Sequence, residues 1–196
     1  MNKSISLLSV LFFITFSFAQ AQESSDNEVD DKGLYVGVSL LGTSFDIPEF
    51  SDDKDTGGGL GIEIGYNFNT NLAIFLSLDG SGMKPDDGED YALAHFDLGV
   101  EGRLGDPGSG FRPYAKAAFL GVGATFEAGD EDIQVTGTGF GAGIGVYYFI
   151  NNQFAIDLGY THSWISVNEV KLGSVSVEVE ENATSGRLGL GFSYHF

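Results

Sequence analysis

The chain has 196 residues, no cysteine and a formal charge of −19, with Asp and Glu outnumbering Lys and Arg 28 to 9. So large a surplus of acid repels phosphate backbones and excludes nucleic acid as a partner, and the lack of cysteine excludes disulfides and a cysteine-borne lipid anchor. No stretch after residue 21 holds 18 consecutive apolar residues, which excludes a spanning helix but not a barrel, whose alternating strands average near-neutral hydropathy. The mean hydropathy of +0.04 fits the second case.

The N-terminus reads as an export signal. Met1-Asn2-Lys3 supplies one positive charge, Ile5 to Phe18 is apolar apart from Ser and Thr, and Ala19-Gln20-Ala21 has the small-x-small form of a cleavage site. The apolar run is too short to cross a bilayer as a helix of about 20 residues. Removing residues 1–21 would leave 175 residues, one domain's worth, carrying a charge of −20. Residues 22–32 contain Glu23, Asp26, Glu28, Asp30 and Asp31 with almost nothing apolar, and are expected to form an acidic, disordered lead-in.

From Gly33 the chain alternates with period two, the signature of strands with one apolar face. Gly33 to Gly42 sets Leu34, Val36, Val38 and Leu40 against Tyr35, Gly37, Ser39 and Leu41. Gly58 to Asn69 sets Leu60, Ile62, Ile64, Tyr66 and Phe68 against Gly59, Gly61, Glu63, Gly65 and Asn67. Leu72 to Asp79 and Tyr91 to Leu104 follow, the latter with Phe96, Leu98, Val100 and Leu104 against His95, Asp97, Gly99, Glu101 and Arg103. Phe111 to Phe126 must hold a fifth strand, but its phase stays open. Lys116 marks one inward set and Gly121 with Gly123 the other, and a bulge near Ala118 would reconcile them. Gly137 to Phe149 sets Phe140, Ala142, Ile144, Val146 and Tyr148 against Gly139, Gly141, Gly143 and Gly145. Phe154 to Trp164 sets Phe154, Ile156, Leu158, Tyr160 and Trp164 against Ala155, Asp157, Gly159, Thr161 and Ser163. The last strand, Arg187 to Phe196, sets Leu188, Leu190, Phe192, Tyr194 and Phe196 against Arg187, Gly189, Gly191, Ser193 and His195. That makes eight strands, an even number.

Three connections are short: Asn69-Thr70-Asn71, Gly105 to Gly110, and Ile150 to Gln153. Four are longer and polar: Thr43 to Gly57, Gly80 to Asp90, Glu127 to Thr136, and Ile165 to Asn182. Long and short alternate strictly, as in an up-and-down barrel with periplasmic turns and extracellular loops. The expected fold is therefore an all-β, antiparallel, eight-stranded transmembrane barrel over residues 33–196. A soluble lipocalin-like barrel would instead need Ile62 and Ile64 inside and Glu63 in water.

The C-terminal stretch resembles the assembly signal of Gram-negative outer-membrane β-barrels, with Gly191 followed by Tyr194 and Phe196 at the third-last and last positions. Gly189 stands where that signal usually has a polar residue. Strand count, loop alternation and this terminus together make the chain resemble the small outer-membrane barrels of the OmpA/OmpX type. The resemblance implies the outer membrane as location, lipid and lipopolysaccharide as surroundings, and the barrel assembly machinery as a partner. It implies a role in envelope integrity or surface adhesion, with no periplasmic domain after Phe196 and no cofactor.

An eight-stranded barrel is just wide enough for side chains to fill it. The inward set includes Glu63, Asp97, Glu101 and Asp157 with Arg103, Lys116 and Arg187, expected to form a satisfied charge network rather than an ion path. Gly141, Gly143 and Gly145 are expected to make room for bulky neighbours such as Tyr35 or Tyr147. Outward aromatics should mark the two membrane interfaces, with Tyr66, Phe68, Tyr148, Phe154, Tyr194 and Phe196 at the short-turn end and Tyr91, Tyr160 and Trp164 at the other. A narrow pore for ions or small solutes is the first alternative, and a lipid A-modifying enzyme is a weaker one. The lipid A deacylase family places its His and Ser two apart on one face, whereas His162 and Ser163 are adjacent and point oppositely. The acidic runs Asp52 to Asp55, Asp86 to Asp90 and Asp130 to Asp132 read as solvated loop faces without the ligand order of a calcium loop. The alternation of Val175, Val177 and Val179 with Ser176, Glu178 and Glu180 suggests a protruding hairpin within residues 165–182, whose edge could pair with a protein partner.

Overall fold

The computed structural model describes residues 32–48, 54–85, 89–105, 110–128, 131–173 and 175–196. The expected signal at 1–21 and, apart from Lys32, the lead-in at 22–32 lie outside them, as do Asp52, Asp53, Asp86, Asp87 and Asp130 of the acidic runs. Eight strands form: β1 (Gly33–Asp46), β2 (Asp55–Asn69), β3 (Leu72–Lys84), β4 (Tyr91–Arg103), β5 (Phe111–Ala128), β6 (Glu131–Phe149), β7 (Phe154–Leu172) and β8 (Val175–His195). Each pairs antiparallel with the next, and β8 returns to β1 from Tyr35↔His195 to Asp46↔Thr184, closing an up-and-down barrel.

The short turns are built from local polar chemistry. Asn69 Oδ1 accepts the Asn71 N–H at 2.8 Å, and Asn151 Oδ1 accepts those of Gln153 and Phe154 at 2.9 and 2.8 Å. Gly105 and Gly110 take φ of +97° and +69°, the left-handed region that a side chain resists.

β5 needs no bulge. Its ladders to β4 and β6 run without a register shift, and its even-numbered residues from Arg112 to Phe126 point inward throughout. Lys116 gave the right phase; Gly121 and Gly123 face outward. Register irregularities fall instead at Asn67/Asn69, Thr136/Gly137 and Val167/Glu169.

The four long connections are much shorter than the alternation of outward apolar residues implies. Strand takes nearly all of Ile165 to Asn182 and most of Glu127 to Thr136, and it reaches through Asp46 and from Asp55 into Thr43 to Gly57 and through Lys84 into Gly80 to Asp90, so the expected alternation of long and short connections is lost. The reason lies in a reversal of polarity along the barrel. Outward apolar residues end at Leu40, Leu60, Leu78, Phe96, Phe119, Phe140, Trp164 and Leu188. The next outward positions are Gly42, Gly58, Gly80, Ala94, Gly121, Thr138, Ser166 and Gly186. From about that height upward the inward positions turn apolar, and Phe45, Met83, Tyr91, Leu93, Leu120, Val122, Ile165 and Val167 pack into one buried cluster. The lower part of the barrel is thus apolar outside and polar within, while the upper part is built like a water-facing barrel with a dry core. From Leu60 to Phe68 the outward apolar band covers about 20 Å along the axis at the usual strand rise and tilt, close to the height of an outer-membrane hydrocarbon belt.

Candidate functional site

The lower lumen holds three charge clusters. In the uppermost, Arg187 Nη1 donates to Asp79 Oδ2 at 2.5 Å, while Nη2 donates to Asp97 Oδ2 at 2.7 Å and to Ser163 Oγ at 3.3 Å. In the middle, Glu63 accepts the Tyr35 hydroxyl at 2.9 Å and faces Lys116 Nζ at 4.0 Å. Toward the short turns, Arg103 Nε donates to Glu101 Oε1 at 2.6 Å, and the Tyr147 hydroxyl donates to Glu101 Oε2 at 3.2 Å. The Arg103 guanidinium lies between the Tyr35 and Tyr147 rings, 5.3 and 4.8 Å from their centroids. A cavity of about 70 Å³, room for several waters, separates the clusters. Glu63, Asp79, Lys116, Asp157 and Arg187 line it.

Glu63, Asp97, Glu101, Asp157, Arg103, Lys116 and Arg187 all point inward, and six of them meet in pairs. Asp157 instead lines the cavity with Gly191 at its back, where a Cβ would collide with the carboxylate. The sequence reading omitted two partners. Asp79 follows Ser77 on the inward face of β3 and completes the Arg187 cluster. Arg112 is fully buried at the foot of β5 and donates to the Thr70 carbonyl. Two-residue spacing from Lys116 would have placed Arg112 inside, had the phase of β5 been settled.

The inward glycines of β6 accommodate other neighbours than those expected. Tyr114 occupies the space over Gly145 and Gly159, Thr161 with Lys116 that over Gly143, while Tyr35 lies over Gly65. Tyr91 is a correction. It is 5% exposed and faces the lumen, where its hydroxyl donates to Asp55 Oδ2 at 2.8 Å and its ring packs on Phe126 at 4.4 Å. The parity it shares with His95 and Asp97 requires this direction. Tyr160 and Trp164 do face outward, and Phe119 and Phe140 join Trp164 in a row of direct neighbours across β5, β6 and β7, with Phe140 and Trp164 stacked at 5.2 Å. At the other rim Phe154, Tyr194 and Phe196 contact one another at 5.0 and 4.8 Å. Phe196 is 71% exposed, and its N–H bonds the Leu34 carbonyl at 2.9 Å.

Ser163 is buried in the lumen, whereas His162 faces outward with its ring edge-on to Trp164 at 4.6 Å, so the two do not form a nucleophile–base pair. At the upper rim β8 pairs with β7 as far as Leu172↔Val175, but its ladder with β1 ends at Thr184. The backbone edge of Val175 to Glu180 therefore has no neighbouring strand among the described residues. Asp46, Asp55, Glu89, Asp90, Glu169, Glu178, Glu180 and Glu181 surround this rim against Lys54, Lys84 and Lys171.

No curated protein sequence matches the chain. Among solved structures, Neisserial surface protein A is similar with a TM-score of 0.69 and 21% identity over 84% of this chain and 97% of that one. Ail, the attachment invasion locus protein of Yersinia pestis, is similar with 0.56 and 17% over 84% and 99%, and one of its structures holds the heparin analogue sucrose octasulfate. OprG of Pseudomonas aeruginosa is similar with 0.55 and 15% over 87% and 99%. These likenesses concern the fold. The family model described as the outer membrane protein beta-barrel domain matches residues 8–196. With the polarity of the wall and the closure of the strands, this match makes the chain a member of that family and a protein of the outer membrane.

Proposed function

We propose that the protein is a non-enzymatic surface-interaction barrel, whose membrane section anchors the extended β7–β8 hairpin outside the cell. Residues 1–21 are removed on export and residues 22–32 lead into the barrel from the periplasm. The charge clusters act as struts across the lumen, and the terminal Gly191, Tyr194 and Phe196 serve recognition by the barrel assembly machinery. The observation that carries the reading is the open β8 edge at Val175 to Glu180, held above the membrane by strands that outrun the apolar band. An open edge captures an extended segment through backbone hydrogen bonds, with alternate side chains setting specificity. Glu178 and Glu180 disfavour pairing with a second copy and favour a basic strand. A sulfated ligand of the kind seen on Ail meets the wrong charge here. The buried apolar cluster across the upper lumen speaks against a pore, and the opposed directions of His162 and Ser163 speak against lipid A chemistry.

A labelled peptide of alternating Lys and Val tests the edge. It should bind the refolded barrel saturably, and Val177→Pro combined with Glu178→Lys and Glu180→Lys should weaken it at least tenfold. Equal binding by the variant would remove the hairpin from the reading.

A further inference from the structure

We propose that the inner face of the wall raised by β5 to β8 above the membrane docks an amphipathic helix, whose apolar side lies on this face and whose other side is basic. The proposal goes beyond the edge reading. It shares with it only the position of the hairpin outside the cell, and it uses the face of the strands rather than their edge.

The barrel wall is lopsided at its upper end. β1 to β4 end five or six residues above their last outward apolar residue, whereas β5 to β8 continue for eight or more. Leu172 stands about 20 Å above Trp164 at the usual strand rise and tilt, beyond the reach of the acyl chains. Val135 and Val179 pack on the buried cluster below and fix the inward direction of β6 and β8. Val170 pairs with both Val135 and Val177, and Leu172 with both Ile133 and Val175, so all of these share the inner face. Glu169, Lys171 and Ser176 meet on the opposite face, where Lys171 Nζ lies 3.0 Å from the Glu169 carboxylate. Leu172, Val175 and Val177 are 46%, 61% and 54% exposed, which makes a contiguous apolar patch held in water.

A bulge makes this patch one-sided. Asn168 is the residue at which both ladders of β7 shift register, between Val167 and Glu169. Without it Val170 and Leu172 would keep the outward parity of Trp164 and Ser166 and point away from the valines of β6 and β8. Contact with the face selects the occupant. A strand laid flat on it would leave backbone groups against valine and leucine, whereas a helix has already paired its own. Among the described residues the low rim across the mouth carries Asp46, Asp55, Glu89 and Asp90 against Lys54 and Lys84, and Lys54 is already drawn to Asp46 at 3.7 Å. A basic side on the docked helix meets these carboxylates, and an anionic lipid meets repulsion.

The probe is a labelled helical peptide of Leu and Lys, its leucines three and four residues apart. It is titrated into the refolded barrel in phosphatidylcholine nanodiscs, with empty nanodiscs as baseline, and should bind saturably by anisotropy. Leu172→Ser combined with Val175→Ser changes two exposed cross-strand partners and leaves the backbone edge in place. It should weaken the helix at least tenfold and leave the alternating Lys and Val peptide bound as before. Heat-modifiable migration identifies the folded variants, and Glu89→Gln combined with Asp90→Asn should give about a threefold loss as a second probe. Equal affinity of wild type and the serine variant overturns the face, whatever the strand peptide does. Equal affinity for a helix of Leu and Glu overturns the basic side. A wild-type dimer that the serine variant dissociates would seat a second copy on the face, and full displacement of the peptide by equimolar lysophosphatidylcholine would seat an acyl chain there; either overturns the helix.

Discussion

Arg187 shows most plainly how a single residue holds this lumen together. Its guanidinium crosses from β8 to two carboxylates on β3 and β4, and none of the three side chains is more than 12% exposed. Burial of one cation with two anions is tolerable only while the hydrogen bonds stand, because each unpaired charge then lies in a poor dielectric. Arg187→Leu should therefore destabilise the folded barrel by about 3–5 kcal/mol, the usual cost of breaking a buried pair. Urea unfolding in lipid vesicles measures it, and an unchanged midpoint would mean that water already carries the charges of Asp79 and Asp97. Gly191 makes a complementary point. The terminal-signal reading and the steric demand of Asp157 both call for glycine there, so loss on substitution would not by itself separate assembly from packing.

At the scale of the strand, β8 joins both ends of the molecule. It closes the barrel on β1 through Asp46 and supplies the exposed terminal aromatic that packs at the short-turn rim. Deleting Phe196 removes the Leu34 hydrogen bond and the Tyr194 contact but no buried side chain, so the folded barrel should lose little stability. Assembly in cells should fall several-fold all the same, read as heat-modifiable protein in the outer-membrane fraction. Normal assembly would remove Phe196 from the recognition signal. Strand phase was legible wherever one face was uniformly apolar, as in β2, where Leu60 to Phe68 leaves no second solution. It was not legible in β5. There the outward set contains Gly121 and Gly123 and the inward set contains Leu120 and Val122, because this strand crosses the level at which the wall changes polarity.

For the molecule as a whole, that change of polarity decides whether the lumen conducts. Above the charge clusters Met83, Leu93, Leu120 and Val122 form a buried apolar layer, and toward the short turns Arg103 packs between Tyr35 and Tyr147. An ion would have to shed its water to cross the apolar layer, which costs several kcal/mol even after relaxation. Planar bilayers containing the refolded protein should therefore stay silent across salt and voltage. Reproducible unit currents would show that the upper cluster opens and would put a pore ahead of the surface-binding reading.

The sequence alone determined the strand count, the closed barrel and the membrane-facing side. Each follows from a period-two pattern that only one arrangement can bury in lipid. It also marked the inward charges, since a lipid-facing wall leaves them nowhere else to go. The tertiary structure decided which charges meet, where strands end and which way Tyr91 and β5 face. Those depend on register between strands far apart in the chain, and on the height at which the surroundings pass from acyl chains to water, neither of which any local window of residues contains.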